Sequence, residues 1–117
     1  MILEDPLVLR TDRADGLTTL TLNRPGQFNS LSKDMLTALQ AELDAIAGNE
    51  AVRVVVIAGA GKAFCAGHDL KEMRANHSKA YMRKLFKQCG KVMMTITGMP
   101  QPVIARIHGI ATAAGCQ

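Results

Sequence analysis

Apolar and polar residues alternate along the first part of the chain: Leu7 to Thr11 reads as one short run, and Leu20 and Leu22 alternate with Thr19, Thr21 and Asn23 in a second. Ala14-Asp15-Gly16 supplies turn residues between them, so the pattern predicts a hairpin, with Leu17 out of phase. Asn23-Arg24-Pro25-Gly26 breaks the alternation. The period then lengthens. Met35, Leu39, Leu43 and Ile46 recur every three to four residues behind Ser32, whose hydroxyl suits an N-cap, and Gly48-Asn49 ends the predicted helix. Val52 through Ala58 is almost continuously apolar and β-branched, broken only by Arg53, as in a strand covered on both faces of a parallel sheet.

Beyond Gly59-Ala60-Gly61 and Phe64-Cys65-Ala66-Gly67, Asp69 to Met73 predicts a short helix with an acid at its start. Met82, Leu85, Phe86, Cys89, Val92, Met93 and Ile96 mark one face of a longer helix from Ser78 to Thr97. Gly98-Met99-Pro100-Gln101-Pro102 stops it, Val103 to Ile107 predicts a strand, and the segment after His108-Gly109 reads as a loop entering a helix near Ala114. The expected class is α/β, in the order strand, strand, helix, strand, helix, helix, strand. A helix cut at its start and strands expected to lie at open sheet edges point to residues 1–117 as a partial domain that self-associates or is only marginally stable.

Composition narrows the function more than the fold. With 117 residues the chain suits one core rather than two domains. Aromatic residues make up 3%, with no Trp, so there is little to stack bases on, and 14 Lys and Arg are interspersed with 10 acids. The net charge of +4 then fits a small phosphate-bearing molecule better than nucleic acid. Three cysteines, none in a CxxC, suit reduced thiols in an intracellular, cytoplasmic setting, or a mitochondrial one in a eukaryote. The first residues carry no secretory or transit signal, and no apolar stretch is long enough to span a membrane.

Two segments share one design, a strand running into a Gly/Ala-rich turn and a helix start: Ala66-Gly67-His68-Asp69 and Ala113-Ala114-Gly115. Each exposes backbone N–H groups that a ligand could approach closely, and two such donors on one oxygen would stabilise an oxyanion. The same small residues equally serve close packing of helix on sheet, and spacing alone does not bring the turns together. Other chemistries fail on particular residues. Gly61-Lys62-Ala63 has Val56 where the first P-loop glycine belongs and Ala63 where Ser or Thr would hold magnesium, and Phe64 replaces the third glycine of a dinucleotide fingerprint. Cys65, His68 and Asp69 lack a second cluster with which to hold a metal, and no metal site is expected. His77 and His108 read as ordinary loop or helix-end residues, and Lys79, Arg83, Lys84, Lys87 and Lys91 as a solvated helix face.

In order along the chain, Leu22-Asn23-Arg24-Pro25, Asn29-Ser30-Leu31, Val54 to Gly59, Lys62 to Met73, Pro102-Val103-Ile104-Ala105 and Gly109-Ile110-Ala111 resemble the enoyl-CoA hydratase/isomerase (crotonase) superfamily. GHDLKEM together with ATAAGCQ resembles most the subgroup typified by enoyl-CoA hydratase domain-containing protein 3. The resemblance implies a crotonase-like (ClpP/crotonase) ββα spiral, of which 1–117 would be the N-terminal part. It also implies an acyl-CoA thioester ligand, no cofactor beyond the CoA moiety, no nucleic-acid or membrane partner, and homotrimers or dimers of trimers in a longer full-length form. His68 and Ala114 match the two backbone N–H positions of the family's oxyanion hole, with the His68 ring lining the pocket. Ser30, Leu31, Ala66, Asp69 and Leu70 match the adenine and pantetheine path, and Lys71 a position where a cation meets CoA phosphate. Arg24 belongs to the signature turn. Gln117 stands where the hydratases carry a Glu, and their second Glu matches nothing in these residues. The expected function is therefore acyl-CoA binding with polarisation of the thioester carbonyl by an enoyl-CoA hydratase/isomerase family protein, of lyase or isomerase class if active in its full-length form, with hydration at a rate typical of the family not expected of residues 1–117; the alternative is a non-catalytic acyl-CoA-binding or assembly module.

Overall fold

The computed structural model describes residues 5–117. The hairpin forms from β1 (Val8–Asp12) and β2 (Leu17–Leu22), paired antiparallel with Val8 opposite Leu22. Leu17 belongs to β2 after all, on its outer face: the inward phase is Thr18, Leu20 and Leu22, and the buried Thr18 satisfies its hydroxyl by donating to Asp12 Oδ1 at 2.6 Å. On its other side β2 runs parallel to β3 (Val54–Gly59), and β3 parallel to β5 (Val103–Arg106), giving the order β1-β2-β3-β5 with β1 and β5 at the edges.

β3 is shorter than the apolar run that predicts it. Val52 and Arg53 precede the strand, and Val54, Val56 and Gly59 are half-buried between buried Val55, Ile57 and Ala58. The central position of β3, with parallel neighbours on both sides, is what the β-branched run anticipates.

Helix α1 (Lys33–Ala47) starts where Ser32 accepts from the Met35 N–H at 3.0 Å, and it buries Met35, Leu36, Leu39, Leu43 and Ile46. Each such side chain contributes about 1.5–3 kcal/mol by leaving water. Helix α2 (Leu70–Ala75) is capped by Asp69, and α3 (Lys79–Gly98) by Ser78. α3 lies along α1, tied by Gln88 to Thr37 at 2.8 Å and by Gln40 to Thr95 at 3.0 Å. Only Leu85, Cys89 and Val92 of its apolar stripe are buried, and Phe86 is 51% exposed. No described helix is long and apolar enough to cross a membrane.

The sequence pattern misses a second sheet. β4 (Ala63–Cys65) pairs parallel with β6 (Ile110–Ala111), and these strands of three and two residues are too short to show alternation. The helix expected near Ala114 is a single 3-10 turn, Ala113–Gly115.

The thiols fall into two classes. Cys65 is buried with its Sγ 3.2 Å from the Asn29 carbonyl, and burial pushes the thiols of Cys65 and Cys89 above their ordinary pKa, whereas Cys116 is exposed. Because the thiolate is the reactive form, an aromatic disulfide reagent at pH 8 is expected to modify Cys116 rapidly and the other two only on unfolding. Three thiols reacting at one fast rate would contradict this burial.

Candidate functional site

The site is built around the segment Ala66-Gly67-His68, held between two others. On one side lies the turn after Pro25, where Phe28 and Asn29 both adopt left-handed backbone, φ 53° and 54°. Asn tolerates that region better than most residues, and Asn29 is fully buried and fully used. Its Nδ2 donates to the carbonyls of Ala60 at 2.9 Å, Ala63 at 3.0 Å and Phe64 at 3.2 Å, while its Oδ1 accepts from the Arg24 N–H at 2.8 Å. The 66–68 segment then joins this turn by backbone bonds: the Ala66 N–H donates to Phe28 O at 3.0 Å and the Leu31 N–H to Gly67 O at 2.7 Å.

On the other side lies the turn after β6. The Thr112 N–H donates to Cys65 O at 3.1 Å, and the Thr112 hydroxyl to Ala66 O at 3.3 Å. Gly67 has φ 88°, and a Cβ placed on it would stand 3.0 Å from the Ala113 Cβ and 3.4 Å from the Ala114 nitrogen. The two turns that the sequence shows as separate motifs are therefore neighbours in space. Among the described residues, the amides of neither His68 nor Ala114 donate to a protein acceptor. Open N–H groups on adjacent turns are suited to holding an anion or a polarised carbonyl oxygen.

The other sequence-derived candidates divide. Ala66 is in the segment itself. Asp69 spends its Oδ1 on capping α2, accepting from the Lys71 N–H at 3.0 Å and the Glu72 N–H at 3.1 Å. Leu70 is 75% exposed, and Lys71 is exposed and forms no ion pair among the described residues. Ser30 is half-buried beside Leu31, whose side chain is 3% exposed and packs in the core while its backbone bridges to His68. Gln117 lies apart from Lys71, with Ala114 and Cys116 along an apolar cavity of about 220 Å³ that Leu31, Phe64 and Met93 also line. Arg24 turns its guanidinium to the carbonyls of Asp5, Pro6 and Asn23, tying down the chain before β1. The His108 Nε2–H donates to Gly61 O at 2.6 Å, as a loop tie.

Two participants escape the sequence reading. Phe86 reads as core from its helical spacing, yet its half-exposed ring sits 5.3 Å from the His68 ring, tilted by 59°. Glu72 of α2 reaches back to accept from the Lys33 N–H at 2.9 Å, joining α2 to the start of α1 beside Ser30-Leu31; an acid in the first turn of a six-residue helix carries no signal of that distant contact.

The enoyl-CoA hydratase/isomerase family model matches residues 17–116. The chain is 37% identical over 113 residues to enoyl-CoA hydratase domain-containing protein 3, mitochondrial, of Rattus norvegicus, covering 97% of this chain and 38% of that protein. A crystal structure of an enoyl-CoA hydratase from Mycobacterium smegmatis superposes with a TM-score of 0.94 at 58% identity, over 96% of this chain and 44% of the other. The structure of human enoyl-CoA hydratase domain-containing protein 3 superposes with a TM-score of 0.87 at 38% identity, over 94% and 43%. The chain thus spans about two-fifths of the length of the relatives it matches.

Asn29→Ala strips two buried carbonyls, one partly buried carbonyl and one amide of their side-chain partner. It is expected to lower unfolding free energy in urea by about 2–4 kcal/mol, given about 1–3 kcal/mol for a buried polar group left unpaired. A loss under about 0.5 kcal/mol would mean that Asn29 does not hold the site together.

Proposed function

The chain belongs to the enoyl-CoA hydratase/isomerase family and has its crotonase-like α/β fold, and from that premise we propose that it binds an acyl-CoA thioester and polarises the carbonyl. One observation carries the reading: the amides of His68 and Ala114 lie on turns in mutual contact, with no protein acceptor for either among the described residues. A thioester oxygen accepting from both gains as negative charge develops on it, so the pair favours an enolate over the neutral ground state. Donors fixed by backbone need no reorganisation when that charge appears.

The rest of the ligand follows the residues that match the family's CoA path. Ser30, Leu31, Ala66, Asp69 and Leu70 border the pantetheine and adenine, and Lys71, exposed and in no ion pair among the described residues, takes a phosphate. No cofactor beyond the CoA moiety enters. The full-length protein works as a trimer or a dimer of trimers, in the cytoplasm or, in a eukaryote, in mitochondria.

Hydration does not follow from this frame. It requires a proton removed from water and one delivered to the α-carbon, and positioned acid and base groups each supply about 10²–10⁴ in rate. Gln117 can hold a water but cannot exchange its proton, which favours as a second reading a binder without turnover.

Calorimetry is expected to show CoA thioester binding that weakens with salt and falls about fivefold in Lys71→Ala, as for a contact of about 1 kcal/mol. No affinity, or affinity indifferent to both changes, would overturn the reading. Loss of the conjugated enoyl-thioester absorbance is expected near background for the native chain, with Gln117→Glu gaining at most about 10²–10⁴-fold. Fast turnover by the native chain would require another base, the His68 ring first.

A further inference from the structure

The interspersion of charge stops at Glu72: every Asp and Glu of the chain precedes position 73, and the residues from 73 to 117 carry seven Lys and Arg. Five of those cations lie on α3. Lys79, Arg83, Lys87 and Lys91 recur every four residues, so they form one stripe with about 6 Å between neighbours, and Lys84 borders it. All five are exposed, and none enters an ion pair among the described residues. The opposite face of the helix buries Leu85, Cys89 and Val92. Like charges at this spacing repel one another and weaken a helix, and no carboxylate among the described residues relieves them. A local rule broken without compensation inside the fold points to a compensation outside it.

The surface within the stripe is notched. Lys87, Gly90, Lys91 and Met94 stand at i, i+3, i+4 and i+7, the four positions that frame a hole for one side chain of a packed helix, and they line a single open groove. Gly90 leaves the floor of that hole empty: a Cβ built on it would meet nothing within 4 Å. Glycine in mid-helix weakens the helix as well. Met94, 75% exposed, stands apolar among the cations.

We propose that the outer face of α3 docks an acidic amphipathic helix of a partner protein, with one apolar side chain seated over Gly90 against Met94 and carboxylates four residues apart meeting the stripe. Carboxylates at that spacing on a helix share the 6 Å period of the cations. An extended segment would bring unpaired backbone groups against a helix whose own are used, whereas a helix arrives with them satisfied. Nucleic acid fits less well, because no aromatic residue lies in the stripe to stack on a base. A lipid surface fits less well too, since helices that lie in it do so by burying an apolar face, and that of α3 is spent on the core.

The test is fluorescence anisotropy with a labelled synthetic helix carrying Glu at every fourth position and one Leu beside that row, against the same peptide broken by a central Pro. The native protein is expected to bind the intact helix at least about tenfold more tightly than the broken one, with affinity falling as salt screens the charges. Gly90→Leu fills the notch and should weaken binding about tenfold, while Gly90→Ala should change it less than about threefold. Neither meets other atoms at its Cβ and both replace a weak helix former, so a loss in Gly90→Leu is not a failure to fold. Lys87→Glu should weaken binding about tenfold or more. Equal affinity for the intact and broken peptides, or an undiminished affinity in Gly90→Leu or Lys87→Glu, would overturn the proposal. Tighter binding at the same salt to phosphatidylserine vesicles or to a single-stranded oligonucleotide would overturn it as well, by assigning the face to lipid or nucleic acid.

Discussion

The candidate site depends on a place where two stretches of backbone run so close that neither crossing residue has room for a side chain. A Cβ on Gly115 would lie 2.2 Å from the Cys65 carbonyl oxygen, and one on Gly109 would lie 2.1 Å from that of Lys62. Both distances are far inside contact, and both involve main chain that cannot swing aside as a side chain would. This approach permits β4 to pair with β6, and the pairing sets the turn after β6 beside the turn after β4. Without it the amides of His68 and Ala114 would belong to unrelated loops. The parallel register Ala63 to Ile110 and Cys65 to Ala111 translates two glycines into one site.

Close approach alone would not fix the angle between the turns, and here strained backbone enters. Phe28, Asn29 and Ala113 adopt positive φ without being glycine, and all three flank the 66–68 segment. Such conformations cost about 1–3 kcal/mol each and persist only where their surroundings hold them. At Asn29 the surroundings are visible: one side-chain amide serves three carbonyls, that of Ala60 in the loop before β4 and those of Ala63 and Phe64 in β4 itself. Burying that amide is tolerable because it is satisfied, and once satisfied it locks the loop more firmly than an apolar side chain could. Arg24 extends the same device outward to the chain before β1.

What the sequence reveals and what it hides divide along range. Ser32 caps α1 as its hydroxyl and position predict, because a cap is decided within three residues, and Asp69 and Ser78, read from the sequence only as helix starts, cap α2 and α3 in the same way. The apolar period locates α1 and α3, and the β-branched run locates β3, to within a residue or two. Hidden are the features made by residues dozens of positions apart. β4 and β6 are too short for a period, and Phe86 lies at the margin of a stripe whose spacing cannot distinguish core from rim. Glu72 reads as a helix-start acid and serves another helix. Within the site, the two Gly/Ala turns are legible as candidates, while their contact is a property of the sheet between them. Leu31 shows the converse, a position matched to the family's CoA path whose side chain is buried in the core and lines the cavity beside Ala114.

A site whose donors are main-chain amides separates two tasks that side-chain sites combine. Polarising a carbonyl depends on where the backbone runs, and the backbone here is governed by Gly67, Gly109, Gly115 and Asn29, none of which need touch a ligand through its side chain. Moving a proton depends on what side chain stands nearby, and the position at 117 is exposed, at the end of a 3-10 turn, with no role in holding the two turns together. Substitution at 117 therefore leaves the amides in place, whereas a side chain at 115 would force the two turns apart. Gln at 117 is thus compatible with both amides remaining open, and the side chain at that position can differ without disturbing the frame.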